Sequence, residues 1–191
     1  MKKTLLLLAA FLMLGTAVKA QDWSNWSYGV KGGFNFSNVT GDWDGKMKFS
    51  FHAGAFAEYR FNDFWGIQPE LIYSRQGTYD KNDGAKQWYR MNYLNIPILA
   101  KIYVLEDLSV DLGPQVGILL NSKYKMKQGG TTHKTDISDM KGADISFAMG
   151  LTYQLFYNWD ISFRYNLGLS DVKKNIDGKN SVIQLSAGYR F

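Results

Sequence analysis

Cysteine is absent from the 191 residues, which excludes disulfide staples, thiolate metal sites and a lipidated cysteine at a mature N-terminus. Histidine occurs only as His52 and His133, so any metal site would have to lean on carboxylates. The longest apolar run, Leu5–Leu14, falls well short of the roughly 20 residues that a membrane-spanning helix requires. Cationic clustering is also lacking along most of the chain. No Lys/Arg stripe of the kind that tracks a phosphodiester backbone is visible, so no nucleic-acid partner is expected.

That short apolar run reads as part of an export signal. Lys2 and Lys3 form a positive n-region, Leu5–Leu14 the apolar core and Val18-Lys19-Ala20 a small-residue cleavage site. The expectation is a Sec-type signal over residues 1–20, leaving 21–191 as one domain. Cleavage would remove three lysines and no acid, taking the formal charge from +5 to +2. The basic character of the whole chain is therefore mostly that of its leader.

Aromatics at 16% and 19 glycines dominate what remains, a composition suited to strands. Strict alternation then recurs along the chain. Ala143, Ile145, Phe147, Met149, Leu151, Tyr153 and Leu155 alternate with Asp144, Ser146, Ala148, Gly150, Thr152 and Gln154. A soluble strand is typically about five or six residues long, so a run of this length fits a tilted strand crossing a bilayer. Eight such segments are predicted, at 26–37, 49–61, 65–76, 88–103, 108–122, 143–155, 159–170 and 181–191. Tyr89, Met91 and Tyr93 are out of phase with Leu94, Ile96 and Ile98, which predicts a bulge near Tyr93. Pro69, Pro97 and Pro114 fall within three consecutive strands, and a bulged belt in the wall is expected there.

Connections alternate between tight turns (62–64, 104–107, 156–158) and polar loops (38–48, 77–87, 123–142, 171–180). This is the plan of an all-β, eight-stranded antiparallel up-and-down transmembrane barrel with short periplasmic turns and longer extracellular loops. The apolar face carries almost no charge, as a lipid-facing surface demands. Aromatics gather near the short turns (Trp26, Tyr28, Phe61, Trp65, Tyr103, Trp159, Tyr189) and toward the loops (Phe36, Tyr73, Tyr89, Tyr93, Tyr124, Tyr165), suggesting two interfacial girdles.

The polar face holds Lys31, His52, Glu58, Arg60, Glu70, Lys101, Asp111, Asp144, Asp160, Arg164 and Arg190. These could supply paired carboxylates for acid–base work, or could plug a narrow lumen as a charge network. Near-balanced signs favour the plug, because an unpaired buried charge is costly. His133 lies in a Thr/Ser/Asp-containing loop with no evident orienting partner and reads as solvated. No catalytic, cofactor or metal residues are assigned. Tyr189 and the terminal Phe191 have the pattern of an assembly signal.

Several stretches, Gly29–Ser37, Gln68–Ser74, Tyr93–Lys101, Gly113–Gly117 and Gly188–Phe191, resemble the PorT-like outer-membrane β-barrel family of Bacteroidota. Asn95 departs from an acid common at that position. The resemblance implies a Gram-negative outer-membrane location, outer-membrane lipid as surroundings, the β-barrel assembly machinery during biogenesis and secretion-apparatus proteins as candidate partners. The function expected is non-enzymatic, a structural, binding, adhesion or secretion-accessory role through the extracellular loops. The alternative is a narrow porin-like channel for ions or small solutes. Lys123, Lys125, Lys127 and Lys134 in the longest loop suit contact with anionic surface polysaccharide.

Overall fold

In the computed structural model, residues 25–41, 46–82, 85–128, 131–137, 140–156, 158–173 and 176–191 are described. The expected signal segment lies outside them. Nine strands follow in order: β1 (Trp26–Gly41), β2 (Lys46–Arg60), β3 (Trp65–Asn82), β4 (Ala85–Leu105), β5 (Leu108–Gln128), β6 (Thr131–Asp136), β7 (Ala143–Phe156), β8 (Trp159–Lys173) and β9 (Ile176–Arg190). Eight of them pair antiparallel with their neighbours, and β1–β9 and β4–β5 contacts complete the circuit. The ring is closed, so its backbone donors and acceptors are satisfied without water.

β6 stands outside the ring. It pairs with β5 alone, from Lys123↔Asp136 to Gln128↔Thr131, so residues expected as loop are instead a hairpin raised above the wall. β3 and β4 likewise stay paired out to Asn82↔Ala85. Polar composition hid these extensions, because a strand above the bilayer no longer needs one apolar face.

Alternation sorts the side chains as the period requires. Along β7, odd-numbered residues such as Ile145 (52% exposed) and Leu151 (48%) face outward, while Asp144 and Ser146 are buried. An exposed apolar exterior around a polar interior is the inverse of a soluble barrel. Trp26 packs on Tyr59 and Trp159 on Tyr189 near the short turns. Phe34 and Phe36 pack on Phe49, and Phe51 on Tyr73, nearer the loops.

Three expectations need correction. The irregularity near Tyr93 belongs to β5: Asn92 pairs with Asn121 but Tyr93 with Leu119, leaving Leu120 as the extra residue. β4 keeps its phase, so Met91 and Tyr93 point inward and are buried. Tyr93 is therefore not a girdle residue. Neither are Tyr89 and Tyr124, which share the inward phase of Met91 and Ser122 and pack on each other, nor Tyr103, whose hydroxyl donates to Glu58 inside the barrel. The proline belt is the third. Pairing lapses beside Pro69 and Pro97, but Pro69↔Ile98 and Ile72↔Asn95 share one register, as do Pro97↔Gln115 and Ala100↔Leu112. Pro114 pairs within an uninterrupted run with β7. Each proline removes a donor, and the flanking bonds hold the strands in line without an inserted residue.

Candidate functional site

The lumen is built from inward positions of all eight ring strands. At its centre Arg164 of β8 grips Glu70 of β3 with both nitrogens, Nη1 to Oε2 at 2.7 Å and Nη2 to Oε1 at 2.8 Å. Lys31 of β1 donates to the same Oε1 at 3.1 Å, and Gln68 Nε2 adds a further bond at 2.6 Å. The Glu70 side chain is fully buried. A forked guanidinium with an ammonium and an amide satisfies both carboxylate oxygens, which a desolvated carboxylate needs.

Toward the short-turn rim a second chain of charges fills the section. Arg190 pairs with Glu58 at 2.9 Å and with Asp160 at 3.3 Å. Lys101 lies 3.6 Å from both Glu58 and Asp111 and donates to Gln68 Oε1 at 3.1 Å. Asp111 also accepts from Ser109 at 2.8 Å and Thr152 at 2.5 Å. Gln68 joins the two groups, so four cations (Lys31, Lys101, Arg164, Arg190) face four carboxylates (Glu58, Glu70, Asp111, Asp160) in one connected network.

Toward the other rim the interior becomes neutral. His52 contacts Asn35 Oδ1 through Nδ1 at 2.8 Å and Ser186 Oγ through Nε2 at 2.7 Å. Gln184 also donates to Asn35, whose own amide reaches Ser74 Oγ and the carbonyls of Phe51 and Arg75. Above this layer Val39, Met91, Tyr93, Met140 and Val172 form a buried apolar cluster, with Leu119 and Ile137 against it.

Three residues expected in the charge network stand apart from it. His52 is held by neutral partners. Arg60 stacks on the Tyr103 ring at 3.8 Å near the short-turn rim and donates to the Asp63 carbonyl. Asp144 is buried with no cationic partner among the described residues, and Ser170 Oγ approaches it at 3.4 Å. Asn166, directly inside the wall, has neither side-chain polar atom bonded among the described residues. Gln68, Asn35 and Thr152 carry no charge and Tyr103 reads as an interfacial aromatic, so none of the four stands among the expected lumen charges. Their inward phase was the available signal. His133 is exposed on β6, Tyr189 packs on Trp159, and Phe191 is exposed with its amide donating to Tyr28.

A closed antiparallel ring with an apolar exterior and an ion-paired interior has a counterpart among known families. The family model of the outer membrane protein beta-barrel domain matches residues 19–174. The chain belongs to that family. It is accordingly an outer-membrane protein. Among solved structures it is similar to Ail, the attachment invasion locus protein of Yersinia pestis, at 20% identity and a TM-score of 0.55, covering 87% of this chain and 99% of that one. It is similar also to Neisserial surface protein A, at 13% identity and a TM-score of 0.59, covering 86% and 97%. At such identities the likeness extends to the fold. No curated protein matches the sequence.

Proposed function

We propose that this outer-membrane barrel is non-enzymatic and PorT-like, exported by a signal over residues 1–20, with a plugged lumen and a function carried by its extracellular rim. The observation that carries the reading is the fully buried Glu70 locked between Arg164 and Lys31. A carboxylate held by three donors has little reason to release them to a passing solute, and an interior of eight strands is just wide enough for side chains to fill. Work at the rim then falls to binding, adhesion or a secretion-accessory contact. Lys123, Lys125 and Lys127 on β5 and Lys134 on β6 offer a cationic hairpin for anionic surface polysaccharide, while Tyr189 and Phe191 would serve assembly.

The test is conductance of the purified protein in a planar bilayer, with insertion confirmed independently. A silent membrane is expected, and steady open steps would overturn the plug. The channel is the second reading, favoured by Asp144 without a cationic partner and the Asn166 amide without a bond among the described residues. Steps abolished by Asp144→Asn would support it. The hairpin is tested separately by replacing its four lysines together with glutamine. Weaker binding to anionic polysaccharide is expected, and unchanged binding would remove that element.

A further inference from the structure

The outer face of β3, β4 and β5 changes character abruptly at one level. Below it Leu71, Tyr73, Leu94, Ile96, Ile118 and Leu120 continue the lipid-facing band. Directly above, Arg75, Asn92 and Asn121 stand side by side in register. Arg75 Nε donates to Asn92 Oδ1 at 3.2 Å, and Asn92 Nδ2 to Asn121 Oδ1 at 2.6 Å. The guanidinium lies 4.9 Å over the Phe51 ring, and its Nη groups have no partner among the described residues. One step higher Arg90 is paired directly opposite Lys123, both exposed. Like charges opposite one another on a sheet are unfavourable unless an anion joins them. Asp136 of β6 stands beyond Lys123 in the backbone register, and no salt bridge to Arg75 or Arg90 occurs among the described residues.

Lys48 of β2 lies half-buried behind this belt. Its ammonium donates to the carbonyls of Gln76 and Tyr89, each at 3.0 Å. It fits there because residue 77 is glycine, at φ 131°, where a Cβ would lie 3.0 Å from Lys48 Nζ. The next level carries Trp88 against Tyr79 at 5.5 Å, with Lys125 Nζ 5.1 Å from the Trp88 ring. The sector thus presents, from membrane outward, an aliphatic surface, a cationic belt and an aromatic face.

We propose that this sector is a lipid site for a phosphorylated saccharide lipid of the outer leaflet, a lipid A-type molecule. Acyl chains lie along Tyr73, Leu94 and Leu120. A phosphate is gripped by Arg75 and Arg90 with Lys123, a guanidinium fork being suited to two phosphate oxygens. The sugar rests on Trp88. The order of the three zones matches the order of chain, phosphate and sugar in such a lipid, which is the complementarity that selects this occupant. The site lies on the barrel wall, depends on neither the lumen plug nor glycan binding by the hairpin, and is tested without altering the hairpin lysines.

The experiment is native mass spectrometry of the detergent-solubilised protein with diphosphoryl lipid A, its dephosphorylated form or phosphatidylglycerol. Wild type is expected to retain diphosphoryl lipid A at least ten-fold better than either of the others. The Arg75→Gln/Arg90→Gln double variant should lose that preference by a similar factor, and Lys179→Gln on the far side should keep it. Equal retention of phosphorylated and dephosphorylated lipid by wild type would overturn the proposal, whether or not the variant folds. Equal retention of phosphatidylglycerol would overturn it too, since any anionic headgroup would then suffice. A double variant that shows folded, heat-modifiable migration and wild-type retention would remove Arg75 and Arg90 from the site.

Discussion

Glu70 shows how a single side chain is fixed by its partners. Substituting Glu70→Gln leaves Arg164 and Lys31 facing each other across a neutral amide in a desolvated section, and breaking such a pair costs about 3–5 kcal/mol. Urea unfolding in lipid vesicles should register a loss of that order, and a loss below about 1 kcal/mol would show that the triad is hydrated. Gly77 makes the complementary case. A methyl group there would lie 2.0 Å from the Tyr89 carbonyl as well as meeting Lys48, at a left-handed φ that alanine rarely adopts. Gly77→Ala should lower stability by more than the roughly 1 kcal/mol of a tolerated exchange. Gly142→Ala, with open space around it, should change little in the same assay.

At the scale of elements, the bulge in β5 decides which face the lysines of the hairpin occupy. Leu120 is the inserted residue: Gly113, Gln115 and Gly117 are inward before it, and Ser122 is inward after it. Deleting Leu120 would remove the extra residue and leave Lys123 and Lys125 on the outer face in unbroken period-2, whereas inserting a second residue beside it, with the bulge kept, would turn them to the opposite face. A cysteine placed at position 123 should be labelled by a membrane-impermeant maleimide in the parent and in the deletion variant, and should lose most of that reactivity in the insertion variant. Equal labelling in the insertion variant would mean that the hairpin re-registers on its own. The β6 strand is a separate matter, since it pairs only with β5. Replacing residues 125–136 by a short turn should leave heat-modifiable migration intact, and loss of the folded band would assign the hairpin a part in closing the ring.

The whole molecule is an outer-membrane barrel whose two surfaces are stabilised differently. The exterior is stable only against hydrocarbon, and the interior only if its charges are matched. Removing Arg190 would leave Glu58 with Lys101 and Tyr103, and Asp160 without a salt-bridged cation among the described residues. Arg190→Met should therefore destabilise the folded barrel, and adding Asp160→Asn should recover part of the loss. Non-additivity in unfolding free energy is the measurement, and strictly additive effects would show that the two residues are uncoupled.

Eight strands, their closure and the assignment of one face to lipid were legible in the sequence, because period-2 alternation states the face of each residue independently of its neighbours. The ionisable inward residues were legible for the same reason. Their pairing was not: Glu70 meets Arg164 across 94 positions, and only the stagger of the closed ring decides which inward residues share a level. The isolation of Asp144, the stacking of Arg60 on Tyr103 and the inward turn of Tyr93 were decided in the same way. So was the outer cationic belt, whose members lie on three strands and meet only through register. The sequence determined which face each side chain takes, because that is a local property of a pleated strand. The tertiary structure alone decided which side chains meet, because height around a barrel is set by shear and bulges contributed by every strand.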